Sequence, residues 1–411
     1  MTDNMIAARR TRAESWLLAW DSQGTHRTGT PGDHAGADWL AAEVAALGAT
    51  PVVESFALDR LDPVEAWVAV DGTRIEATPV FDSPGWPPEC APECAPESAP
   101  ESAPESAPEC PPEYPFSHDI LTAPLGPHGI EVTTLSPQAV YTEAYRAMRL
   151  SARHRALVIV CQGANPGLGL LNAEQFRTPY GAPALHVSTE FGDFLRAAEQ
   201  RGAQAEFVSR VRWTPTEARN VVVNIPGRDR TRPPLVVMTP RSSWWQSTSE
   251  RGGGLVCWLE TLRALLADPP ACDVVMTANS GHELGHLGLD AFIEHRPGWD
   301  VAGGATWVHY GANLGATGGQ LSVMSASDDL RRAMRTALDA AGQPPEVMAP
   351  PTQVPSGETR DIHRAGGRYV TLVGSNPLFH LPRDRWPYAV DVDRIVRIAA
   401  GAAAMVRDLC R

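Results

Sequence analysis

The chain has 411 residues, of which 43% are apolar and 20% charged, and its net charge is −13. At ~150 residues per domain this exceeds what one hydrophobic core serves, so two or three domains are expected and a single small module is excluded. The acidic balance would repel a phosphate backbone, which argues against nucleic acid as a partner. No run approaches the ~18 uncharged apolar residues of a membrane span. The opening MTDNMIAARRTRAESWLLAW mixes acids and bases and lacks the apolar centre of a secretory signal, so a cytoplasmic location away from membranes is expected. Of the seven cysteines, Cys90, Cys94 and Cys110 fall in a repeat, a usage that fits reduced thiols better than a disulfide framework.

In chain order, ADWLAAEVAALG has apolar residues at helical spacing and ends on Gly48, where a left-handed cap is expected. VVESFAL then reads as a strand. From Pro88 to Glu113 the chain repeats Ala-Pro-Glu followed by Ser or Cys. Proline at every fourth position removes backbone donors and the glutamates repel one another, so a solvated, dispensable loop is expected. RALVIVCQG and GAPALHVS read as buried strands, and EFGDFLRAAEQRG as a helix stopped by glycine. Residues 58–216 are therefore expected to form a smaller mixed domain inserted into a main domain made of 1–57 and 217–411.

After Arg219 strand and helix alternate. NVVVNIPG, PLVVMTP, DVVMTANS, GATWVHYG and RYVTLVG read as strands. GLVCWLETLRALLAD, LGLDAFIEH, DDLRRAMRTALDAAG and VDRIVRIAAGAAAMVRDL read as helices. Such alternation predicts an α/β three-layer sandwich around a mostly parallel sheet, with ligands bound beyond the carboxyl ends of the strands.

Three strand ends carry polar groups in apolar surroundings. TPRSSWWQSTSERGGG brings Arg241, Ser243 and Glu250, SGHELGHLG brings His282, Glu283 and His286, and SNPLFHLPRD brings His380. HELGH matches the zincin pattern HExxH, but it follows a buried strand directly and contains Gly285, a context that argues against a zinc-binding helix. His309 and His363 are single histidines whose default role is structural. Trp244 and Trp245 fit an aromatic wall or ordinary core packing.

Nearly all of the chain outside the repeat resembles the zinc aminopeptidases of metallopeptidase family 28. NVVVNIPG resembles their entry strand, GLVCWLE the helix after their Asp-Asn-x-Ser-Gly turn, GHELGHLG their Glu-Glu loop, and NPLFHLPRDRWPYAVDVDRI their terminal His segment. The insert resembles their protease-associated domain. The resemblance implies a zinc exopeptidase-like fold and places the family's His-x-Asp on Arg241 and Ser243, its bridging aspartate on Glu250, and its general-base glutamate on His282. It places the next glutamate ligand on Glu283, the later aspartate on Ala312 or Asn313, and the last histidine ligand on His380.

On that resemblance, one metal held by Glu250, Glu283 and His380 is expected, zinc by preference with manganese possible, since oxygen ligands dominate. Arg241 puts a permanent cation at the first metal position and, with Glu358, is a candidate to bind substrate. His282, still titratable, is the candidate proton carrier. The implied function is a divergent metal-dependent hydrolase acting on a small amide- or amine-bearing molecule or short peptide. The alternative is a catalytically inactive pseudo-peptidase that keeps the scaffold for binding.

Overall fold

A computed structural model describes residues 3–84 and 120–411; the expected loop at 88–113 lies outside the described residues. The chain divides into two compact units, one made of 1–60, 162–174 and 215–411, the other of 61–161 and 175–214.

In the first unit four parallel strands stand side by side, in the spatial order Val274–Asn279, Leu235–Pro240, Thr306–Tyr310 and Arg368–Gly374. The end of Gln204–Ile225 pairs antiparallel with the first of these and Leu321–Met324 antiparallel with the last. The register places Val237 beside both Met276 and Val308.

Because successive side chains of a strand point to opposite faces, each of these apolar runs feeds two cores. Val221, Val223, Val237, Met276, Val308 and Val370 join one cluster with the helices Asp3–Asp21, Pro31–Ala46, Gly253–Ala267, Asp328–Ala340 and Val392–Leu409. Their neighbours Val222, Val236, Val275, Trp307 and Tyr369 join the other, with Leu289 and Phe292 of helix Leu287–Glu294 and Ile362 of helix Thr359–Arg364. Burial on both faces explains why these strands read as continuous hydrophobic runs. The expected α/β three-layer sandwich is the observed architecture.

The second unit has its own core. A four-stranded sheet orders Thr78–Pro79, Ala184–Val187, Ala156–Cys161 and Ile130–Leu135. Helix Gly192–Gln200 supplies Leu195 and Ala198 to the cluster of Val132, Val158, Val160 and Leu185. Arg149, wholly buried, donates through Nη1 to Asp82 at 3.0 Å and to the Tyr145 hydroxyl at 2.7 Å.

In the first unit the parallel strands end on Pro240, Asn279, Tyr310 and Gly374. The segments that follow them are where such a sheet places a ligand site.

Candidate functional site

Glu250 and Arg251 lie on one wide helical turn, Thr248–Gly252, that opens into helix Gly253–Ala267. The glycine run is a packing requirement: a Cβ on Gly253 would come within 1.8 Å of the Leu314 carbonyl oxygen. The Asp384 carboxylate holds the turn by accepting the N–H groups of Ser249 and Glu250 at 2.8 and 3.0 Å. Burial pushes the Asp384 carboxyl up to about 7.

Arg251 is buried. Its Nε donates to the Ser242 carbonyl at 2.6 Å, and its Nη2 lies 2.8 Å from Glu250 Oε1. Neither Nη1 nor Nη2 has a hydrogen-bond partner among the described residues. Burial alone would raise the Glu250 carboxyl, but the Arg251 charge and His380 outweigh it and bring the group down to about 2. The imidazole of His380 donates through Nδ1 to the Leu170 carbonyl at 2.7 Å, which leaves Nε2 facing Glu250 Oε1 at 3.5 Å.

Beside this pair stand three more imidazoles and a carboxyl. The turn that follows strand Val274–Asn279 passes through Gly281, Gly285 and His286 with φ of +79°, +81° and +67°. These left-handed residues break HELGH into a short turn, His282–Leu284, and a separate helix starting at Leu287. The rings of His282 and His286 end 5.0 Å apart, not on one zincin helix. His286 Nδ1 meets Asp361 Oδ2 at 2.5 Å, whereas His282 Nδ1 lies 3.7 Å from Glu358 Oε1. His309 bonds Thr359 Oγ1 through Nδ1 at 3.3 Å. Gly357, at φ +70°, runs between two rings: a Cβ there would touch His309 at 3.3 Å and His282 at 3.6 Å.

Burial, then the charge of Arg251, drives His282 well below the usual imidazole range. Burial and the neighbouring His286 take His309 down to about 3. Both imidazoles are therefore neutral at pH 7. Burial lifts the Glu358 carboxyl to about 7, although Asn279 donates to it at 3.2 Å. Among the described residues His282 Nδ1, His286 Nε2, His309 Nε2, Glu358 Oε1 and His380 Nε2 have no hydrogen-bond partner. Unpaired buried polar atoms are rare, and a group of them marks a place where something binds.

Two expected site residues are engaged elsewhere. The guanidinium of Arg241 donates to the Asp33 carbonyl at 2.5 Å and the Arg219 carbonyl at 2.6 Å, and pairs with Asp33 Oδ1 at 2.9 Å, so it fastens helix Pro31–Ala46 and is not presented to a substrate. Arg251 is the cation that reaches the site. Glu283 has both carboxylate oxygens occupied: Oε1 accepts the Thr28 N–H and hydroxyl, each at 2.7 Å, and Oε2 accepts the Ser242 hydroxyl at 2.6 Å. Ser243 bonds the Trp245 carbonyl at 2.9 Å. The indole N–H groups of Trp244 and Trp245 go to Asn172 Oδ1 and the His380 carbonyl.

This donor set does not fit a zinc ion held by Glu250, Glu283 and His380. The first carboxylate is ion-paired to a guanidinium, the second already accepts three hydrogen bonds across both its oxygens, and a fixed cation beside the site opposes a dication. Among the described residues no three His, Cys, Asp or Glu side chains are grouped as metal ligands are.

Sequence reasoning missed Arg251 and Asp361. Arg251 was visible as a base next to a candidate ligand carboxylate, in the position of the asparagine in Asp-Asn-x-Ser-Gly. Asp361 gave no signal, being 75 positions from His286.

No protein-family profile and no curated protein matches the sequence. Solved structures do. A zinc aminopeptidase from Bacillus subtilis superposes with a TM-score of 0.73 at 18% identity, covering 98% of this chain and 95% of that one. A peptidase M28 precursor from Shewanella amazonensis gives 0.71 at 12% identity over 99% and 96%. An aminopeptidase from an Aneurinibacillus strain gives 0.68 at 12% over 98% and 95%. At such identities the likeness establishes the fold.

Proposed function

We propose that this chain has exchanged the metal centre of its fold for a guanidinium-centred site and recognises a small polar molecule there without bound zinc. The observation that carries this reading is Arg251, a buried guanidinium held against Glu250 in the region that the resemblance gave to the metal. Its charge acts on His282 and Glu358, and its terminal N–H groups have no hydrogen-bond partner among the described residues. Arginine stays charged at any pH the protein meets, so it is a permanent substitute for part of a metal's field. The ligand class is that of the fold's solved relatives in its coarsest form, a small amide- or amine-bearing molecule, with Glu358 and the histidines as its polar contacts.

A second reading, a single zinc or manganese on Glu250, Glu283 and His380, is favoured by one observation: His380 Nε2 already faces Glu250 Oε1 at 3.5 Å. It requires Arg251 to leave Glu250 and Glu283 to release Thr28 and Ser242. Equilibrium dialysis of the full chain against zinc separates the two. Less than a tenth of an equivalent in wild type, with tighter binding in Arg251→Asn, supports the guanidinium site, whereas a full equivalent in wild type refutes it.

A further inference from the structure

We infer that His286, oriented by Asp361, is a metal-independent general base that activates water for attack on a small acyl compound in this cluster. The inference rests on the zinc-free reading above. It begins with the tautomer. Asp361 can only accept at 2.5 Å, so Nδ1 carries a proton, and when the ring acts as a base its lone pair is the one on Nε2. That Nε2 is buried and without a hydrogen-bond partner among the described residues, an arrangement that is costly unless something occupies the lone pair. The backbone fixes the ring as well: His286 takes φ +67° at the entrance to helix Leu287–Glu294, a conformation uncommon for a side chain larger than glycine.

The neighbouring groups complete the case. The resemblance gave proton transfer to His282, but among the described residues no carboxylate lies within hydrogen-bond distance of its Nδ1; Glu358 stands at 3.7 Å. His286 has the orienting carboxylate that an imidazole base requires. Arg251 supplies positive charge in the same cluster, felt at His282, His309 and Glu358, where negative charge on a carbonyl oxygen would be stabilised. In the step itself Nε2 takes a proton from water as the water oxygen bonds to the acyl carbon. The bond from that carbon to the leaving oxygen then breaks, its electron pair leaves with that oxygen, and the proton on Nε2 returns to the leaving group or to solvent.

The test uses the full chain, treated with a chelator, and p-nitrophenyl acetate as the probe, with zinc measured on the same sample. Release of p-nitrophenolate by wild type is expected to exceed that by His286→Gln about 100-fold, the usual contribution of a positioned base. Asp361, whose side chain is 31% exposed, is a positioning residue. Asp361→Asn should keep the far-ultraviolet circular dichroism of wild type, lose the single His286 tautomer in nitrogen-15 spectra, and slow the reaction. A zinc-free wild type no faster than both variants overturns the inference and leaves the guanidinium site standing. A rate that depends on His286 in a protein holding one equivalent of zinc overturns the zinc-free reading and, with it, the metal independence of the base. A rate that appears only with zinc and ignores His286 overturns both.

Discussion

Arg251 and Glu250 are consecutive in the chain, yet their side chains turn toward each other, with Nη2 2.8 Å from Oε1 and both groups wholly buried. A buried ion pair of this kind contributes little net stability but is costly to break on one side, because the surviving charge has no water to turn to. Arg251→Met alone should therefore lower the unfolding free energy by about 3–5 kcal/mol. The double variant Glu250→Gln with Arg251→Met should recover most of that loss. Urea denaturation of the three proteins checks it; equal losses in single and double variants would show that the two side chains are not coupled.

Glu283 is held in place by hydrogen bonds. Three donors, the Thr28 N–H, the Thr28 hydroxyl and the Ser242 hydroxyl, tie it to two segments of the first unit. Glu283→Ala strands those donors and is expected to cost about 3 kcal/mol or more, since hydrogen bonds to charged groups exceed the neutral average. Glu283→Gln keeps an acceptor for Thr28 and should cost far less. Thermal denaturation distinguishes them, and a Gln variant as damaged as the Ala variant would contradict this role.

Much of this was legible in the sequence, and the residues show why. PLVVMTP and DVVMTANS are apolar on both faces, the mark of strands covered by helices on each side, and both are central strands. The first helix, Asp3–Asp21, was not read from the sequence, although Ala13, Trp16, Leu17 and Trp20 stand at helical spacing. The sequence singled out the strand ends that carry Glu250, His282 and His380, but it named Arg241 and not Arg251, the guanidinium that pairs with Glu250. A one-dimensional register places residues on a loop without fixing where their side chains turn. Arg241 is drawn away by Asp33, which lies 208 positions earlier. The pairing of His286 with Asp361 was equally invisible, because only the fold brings the two together.

The Glu358 carboxyl sets a pH dependence. Burial raises it from 4.5 to about 7, so the folded protein keeps a proton that the unfolded chain has already released. Stability from this group is present below the unfolded value and is lost as pH rises through about 7. Glu358→Gln cannot ionise and keeps an acceptor for Asn279. Its melting temperature should exceed that of wild type at pH 8 and converge with it near pH 4.5. A difference that stays constant across that range would show that the carboxyl does not titrate in this way.

The central claim, that a guanidinium occupies the place of the metal, is tested most directly by diffraction from crystals grown and soaked in zinc, with anomalous data collected at the zinc edge. The expected result is density for the Arg251 guanidinium against Glu250, the Glu283 carboxylate on Thr28 and Ser242, and no anomalous peak among Glu250, Glu283 and His380. A peak at full occupancy between those three side chains, with Arg251 turned away from Glu250, would contradict it.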